Sequence, residues 1–142
     1  MAKLPDIVLD VAIEASPENI WPYLATADGL GVWFMGSTLR PIEGEAFVLH
    51  AGPYGDSPCR VIAVDPPTRF AFHWDAHWTV AFNLEPLDAR TTRVTLRHAG
   101  WDDDHVSPTG QSHAVIRGVM EGGWRRKLTE DLPRAVLGPS GT

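Results

Sequence analysis

Cysteine is nearly missing from this sequence. Cys59 stands alone among 142 residues, so no internal disulfide can form and the chain suits a reducing compartment. Basic charge is also scarce. The 12 Lys and Arg face 18 Asp and Glu, for a net charge of −6. A protein that tracks a phosphate backbone needs a basic face, so nucleic acid is not an expected partner. No apolar run approaches the ~20 residues of a membrane helix. The opening MAKLPD leads into the first strand without the apolar core of a signal peptide. The expectation is a cytoplasmic domain with no membrane span. The strained elbow of a serine hydrolase and a glycine-rich phosphate loop are absent too, and no pattern calls for a cofactor.

What is present suits one folded unit. A content of 44% hydrophobic and 21% charged residues is ordinary for a globular chain. A chain of this length buries about 68–70% of its unfolded surface, enough for a core without staples. No repeat or low-complexity linker divides residues 1–142, which read as a single domain.

The pattern then changes along the chain. IVLDVAIEA sets Ile7, Leu9, Val11 and Ile13 against Asp10 and Glu14, as a half-buried strand does. SPENIWPYLATA opens a helix with Ser16 as N-cap, Pro17 in the first turn and Glu18 at the positive end. Asp28 suits the cap of a second short helix over GLGVWF. EAFVLH and PCRVIAVD flank the loop AGPYGDS, and DPPTR is a turn. RFAFHW and WTVAFNLEP, joined by DAH, place Phe70, Phe72, Trp74, Trp78, Val80, Phe82 and Leu84 on one face. His73, Asp75, Thr79, Asn83 and Glu85 fall on the other. In TTRVTLRHAG the inward set is Val94, Leu96 and His98. WDDDHVSPTGQ is polar and irregular. The last segment repeats Ile116, Met120, Trp124, Leu128 and Leu132 every four residues, a helical ridge. Arg126 with Glu130 and Lys127 with Asp131 are i,i+4 pairs on its wet side, and Pro133 ends or kinks the helix.

A strand, two short helices, about six antiparallel strands and one long helix have one reasonable packing. The expected class is α+β: a curved antiparallel sheet of six to seven strands wrapped around a long C-terminal helix. IEASPENIWPYLATADGLGVWF, CRVIAVDPPTRFAFHW, TRVTLRHAGW and GGWRRKLTEDL follow in order. They resemble successive motifs of the bacterial heat-shock-protein-90 ATPase activator-like proteins, within the START-related (SRPBCC) helix-grip superfamily. The resemblance runs over residues 8–132. It departs at LDARTTR, where those proteins usually have a glycine-rich turn. It implies a helix-grip fold, commonly with a cavity between the last helix and the concave sheet. Hydrophobic small molecules such as lipids or aromatic, polyketide-like compounds are bound or transformed there. It also implies a link to stress response through a chaperone partner.

Large aromatics are mostly core packing, so Phe70, Phe72, Trp74, Trp78 and Phe82 need no function. Their placement still suggests one. Trp74 and Trp78 flank a hairpin at one end of the sheet, where Trp33 and Phe34 on the short helix can close over them. His98 points inward and needs a hydrogen-bond partner, met either structurally or by a ligand, with Tyr54 or a water as candidates. His50 and His113 are weaker candidates. The glycines of EGGW cost about 1 kcal/mol each in a helix, so either close packing on the sheet or room for a ligand beside Trp124 offsets them. Neither WDDDH nor His73, Asp75 and His77 has the spacing or supporting shell of a metal site, and no metal is expected. Cys59 reads as inert.

Three functions remain to be separated. The favoured one is a binding protein with an apolar cavity, lined by Trp33, Phe34, Phe72, Trp74, Trp78, Phe82, His98, Met120 and Trp124. The second is an enzyme of the cyclase, dehydratase or hydrolase kind, with His98 as acid–base group acting through a bound water. The third is a co-chaperone, which predicts a large exposed apolar patch. Exposed strand edges allow a homodimer.

Overall fold

The strand β1 (Ile7–Ile13) buries alternate residues, as its pattern requires, and two helices follow it, α1 (Pro17–Ala25) and α2 (Ala27–Trp33). The computed structural model describes residues 3–50, 55–75, 77–102 and 110–138. Five more strands come next: β2 (Ala46–His50), β3 (Asp56–Asp65), β4 (Arg69–Trp74), β5 (Trp78–Pro86) and β6 (Thr92–Ala99). They complete one six-stranded antiparallel sheet in the order β1-β6-β5-β4-β3-β2. The strands after β1 form a meander, and β1 closes the far side by pairing with β6, Ile7 opposite His98. The C-terminal segment is α3 (His113–Arg126), a π-helical turn at Lys127–Asp131 and α4 (Leu132–Leu137). The helix-grip architecture is as expected, with five strands rather than about six after the short helices.

The short helices show how local chemistry sets boundaries. The Ser16 hydroxyl accepts from the Asn19 N–H at 3.2 Å and starts α1. Thr26, not Asp28, caps α2. Its oxygen accepts from the Gly29 N–H at 3.0 Å while its hydroxyl donates to the Pro22 carbonyl at 2.6 Å. One threonine therefore ends one helix and begins the next. A Cβ on Gly29 would lie 1.9 Å from the Pro22 oxygen. Only glycine lets α2 turn back this tightly on α1.

The C-terminal ridge is real but uneven. Trp124, Leu128 and Leu132 are buried, whereas Ile116 and Met120 are half-buried at the rim. Each fully buried side chain contributes about 1.5–3 kcal/mol, so the second half of the helix carries most of the contact. Pro133 does not end the helix. The Leu132 N–H reaches back five residues to the Lys127 carbonyl, and the widened turn precedes the proline. A proline lacks an N–H and crowds the carbonyl four residues back, and a π turn relieves both.

Two expectations for this helix are corrected. Gly122 and Gly123 are exposed, and a Cβ on either would meet nothing within 4 Å. They neither allow close packing nor make room beside Trp124. The ion pairs here also differ from those expected. Arg117 and Arg125 both pair with Glu121, at 3.1 and 3.5 Å. Lys127 instead donates to the Phe34 carbonyl at 3.3 Å. Among the described residues, no helix is long and apolar enough to cross a membrane.

Candidate functional site

Alternation brings His98 inward from β6, where it is fully buried opposite Ile7 and Val80. The β4–β5 hairpin places Trp74 directly opposite Trp78. Trp124 enters from α3, and Trp33 and Phe34 enter from the end of α2. These elements meet at one end of the sheet. Phe34 stacks on Trp124 with ring centres 4.7 Å apart. Trp33 lies 6.0 Å from Phe82 and 6.4 Å from Trp124. Trp74 stacks on His98 at 5.6 Å, Trp78 meets His98 edge-on at 5.1 Å, and Trp74 and Trp78 are 5.4 Å apart.

Seven of the nine expected lining residues thus form one cluster: Trp33, Phe34, Trp74, Trp78, Phe82, His98 and Trp124. Met120 packs against the core at the rim. Phe72 is set apart from the tryptophans, because its ring pairs with Phe47 at 5.4 Å and Phe70 at 5.8 Å. The space at this end is taken up by rings in mutual contact.

One hydrogen bond defines the electrostatics of the cluster. The indole N–H of Trp124 donates to His98 Nδ1 at 2.9 Å. An indole can only donate, so Nδ1 is the unprotonated nitrogen and the neutral ring carries its hydrogen on Nε2. Burial, followed by the nearby His113 and Arg117, lowers the His98 pKa from 6.5 to about 3. The ring is neutral at physiological pH.

The other polar atoms divide into two groups. The Trp33 N–H donates to the Tyr23 carbonyl at 2.7 Å, and the Trp101 N–H to the His98 carbonyl at 3.0 Å. Among the described residues, the N–H groups of Trp74 and Trp78 and the Nε2 of His98 are buried without a hydrogen-bond partner. Each such group costs about 1–3 kcal/mol, and complete cores rarely contain them.

Sequence reasoning missed Trp101. It is 2% exposed and its ring lies 4.8 Å from Trp78 and 4.7 Å from His98. The signal was the glycine before it. Gly100 has φ of 95°, and a Cβ there would sit 1.9 Å from the His77 carbonyl oxygen. The chain therefore breaks the strand's alternation and folds Trp101 back into the cluster. His113 was also underrated. It is buried, with its ring 5.5 Å from Trp78 and its Nδ1 accepting from the Asp102 N–H at 3.4 Å. His50, by contrast, is exposed and lies 2.9 Å from Asp56. Tyr54 and residues 103–105 of WDDDH lie outside the described residues.

A second feature lies on the opposite face of the sheet. A groove of about 690 Å³, open to solvent, is lined by Thr38, Ala46, Phe47, Val48, Pro58, Cys59, Arg60, His73 and Asp75. None of the expected lining residues borders it. Burial, reinforced by Asp75, pushes the Cys59 thiol up to about 12, so it carries almost no thiolate near neutrality.

The family described as Activator of Hsp90 ATPase homolog 1-like protein matches residues 14–136. No curated protein matches the chain. Among solved structures, the solution structure of Bacillus halodurans protein BH1534 is 35% identical. It aligns over 96% of this chain and 99% of its own, with a TM-score of 0.84. The Aha1 dimer from Colwellia psychrerythraea is 20% identical over 94% and 96% of the two chains, with a TM-score of 0.76. CalU16 from Micromonospora echinospora is 18% identical over 96% of this chain and 78% of its own, with a TM-score of 0.69. At these last two identities the likeness concerns the fold.

Proposed function

The chain belongs to the Activator of Hsp90 ATPase homolog 1-like family, and from that premise we propose that it binds a hydrophobic small molecule between the C-terminal helix and the sheet. The observation that carries this reading is the assembly of the aromatic end. Rings from α2, β4, β5, β6 and α3 meet there, while its rim is only partly covered. Phe34 follows the seven-residue helix α2, and Phe34 and Met120 are both half-buried. Moving this short helix would unstack Phe34 from Trp124 and withdraw Trp33 from Phe82 and Trp124, a smaller change than opening a sheet strand. Phe34 and α2 form the entry side, with Trp74, Trp78, His98 and Trp124 as the floor.

Titration of the purified protein with flavonoid and fatty-acid libraries, followed by tryptophan fluorescence, tests this. Saturable quenching by members of either library supports the reading. Silence across both overturns it.

The geometry favours binding over catalysis at His98. Its Nδ1 lone pair is engaged by Trp124 and its pKa is far below neutrality. It can donate a hydrogen bond from Nε2 but cannot take a proton at pH 7. The co-chaperone reading asks for a broad apolar patch. Among the described residues, the exposed large apolar side chains belong to separate elements, apart from Val115 and Val119, which share α3. A homodimer rests on edge strand β1, which pairs on one side only. A single-chain mass by light scattering overturns that second reading.

A further inference from the structure

We infer that Trp74, Trp78 and His98 form a three-donor site for one kind of group, the neutral carbonyl oxygen of an otherwise apolar ligand. This rests on the small-molecule reading above and names the chemistry that site selects.

The argument begins with what each ring offers. Trp74 and Trp78 can each contribute one N–H and no acceptor. His98 is reduced to the same condition, because Trp124 occupies its Nδ1 and leaves Nε2 as the protonated nitrogen. All three N–H groups are buried without a partner. Their rings form a triangle with sides of 5.1, 5.4 and 5.6 Å. Three rings that each carry such a donor stand together within an aromatic shell.

The environment selects among acceptors. Phe34, Trp33, Phe82 and Trp101 make the surround apolar. The three donors are themselves uncharged, since His98 is neutral, and the nearby cations are already engaged, Arg117 by Glu121 and Lys127 by the Phe34 carbonyl. A carboxylate would have to shed its hydration with no free cation among the described residues there to meet it, whereas a carbonyl loses little and gains partners. An ammonium or other pure donor finds nothing to bond. The preference is thus for a ketone-like oxygen on an aromatic or aliphatic body.

Two isosteric probes test this: 2-acetylnaphthalene, and 2-isopropenylnaphthalene, in which a carbon replaces the carbonyl oxygen. Calorimetry gives their affinities, and a 1H–15N spectrum follows each tryptophan N–H. The expected result is about tenfold tighter binding of the ketone. The Trp74 and Trp78 indole protons should move downfield while that of Trp33 stays in place. Trp74→Phe and Trp78→Phe should each erase most of the ketone's advantage over the hydrocarbon, whatever they do to the affinity the two probes share. If either variant fails to fold, the wild-type spectrum still decides. Equal affinities, unmoved Trp74 and Trp78 protons, or no binding of either probe would overturn the donor site. A permanently bound water serving the three groups would produce the first of these. Binding of flavonoids or fatty acids without those shifts removes this inference alone, whereas silence in the fluorescence titration removes the small-molecule reading with it.

Discussion

The indole N–H of Trp124 donates to Nδ1 of His98 across 2.9 Å, both side chains being buried. This contact ties the C-terminal helix to strand β6, and it also selects the tautomer of the imidazole.

Removing the donor should therefore be costly. Trp124→Phe keeps an aromatic ring but leaves the His98 acceptor unpaired. A loss of about 1–3 kcal/mol in urea unfolding is expected. In the wild type, 15N chemical shifts should show a protonated Nε2 and a bare Nδ1. The reverse tautomer would contradict the hydrogen-bond assignment.

His98 also predicts a pH dependence. Its folded pKa of about 3 lies below the ordinary 6.5. The unfolded chain thus takes up a proton that the folded chain refuses. Its contribution is fully present above pH 6.5 and falls as pH drops towards 3, with a limiting slope of about 1.4 kcal/mol per pH unit. Urea midpoints across this range should show the slope, and His98→Phe should remove its share. An unchanged slope in that variant would mean that other groups carry it.

Two glycine substitutions should act in opposite directions. Gly29→Ala drives a Cβ to 1.9 Å from the Pro22 oxygen, and a loss of about 3 kcal/mol is expected because backbone cannot yield cheaply. Gly122→Ala meets nothing within 4 Å on an exposed helix face. It should stabilise by about 1 kcal/mol. Thermal melts of the two variants suffice as a check.

Cys59 should resist alkylation. Its thiol is buried and pushed up to about 12, first by desolvation and then by Asp75. Iodoacetamide at pH 8 should label the folded protein far more slowly than the urea-unfolded chain. Comparable rates would show that the strand opens readily.

Much of this was legible from period and composition. Alternation in 70–84 and 92–99 decided which side chains face inward, including His98, because a strand's two faces follow from backbone geometry alone. The ridge from Trp124 to Leu132 followed from the helical period in the same way. Five of the nine expected lining residues, Trp74, Trp78, Phe82, His98 and Trp124, meet in one cluster for that reason, and Trp33 and Phe34 join them from the end of α2. Phe72 shares their face, yet its neighbours are Phe47 and Phe70. Parity names a face and says nothing of position along it.

The sequence by itself determined the class of fold, the inward-facing residues and the isolation of the single cysteine, since these depend on local spacing and on counts. Only the tertiary structure decided that Trp101 turns back into the cluster, that Gly122 and Gly123 face open space, and that Trp74, Trp78 and His98 keep unpaired N–H groups. Those facts depend on which atoms from distant segments come within about 3 Å of one another, a relation that no periodicity encodes.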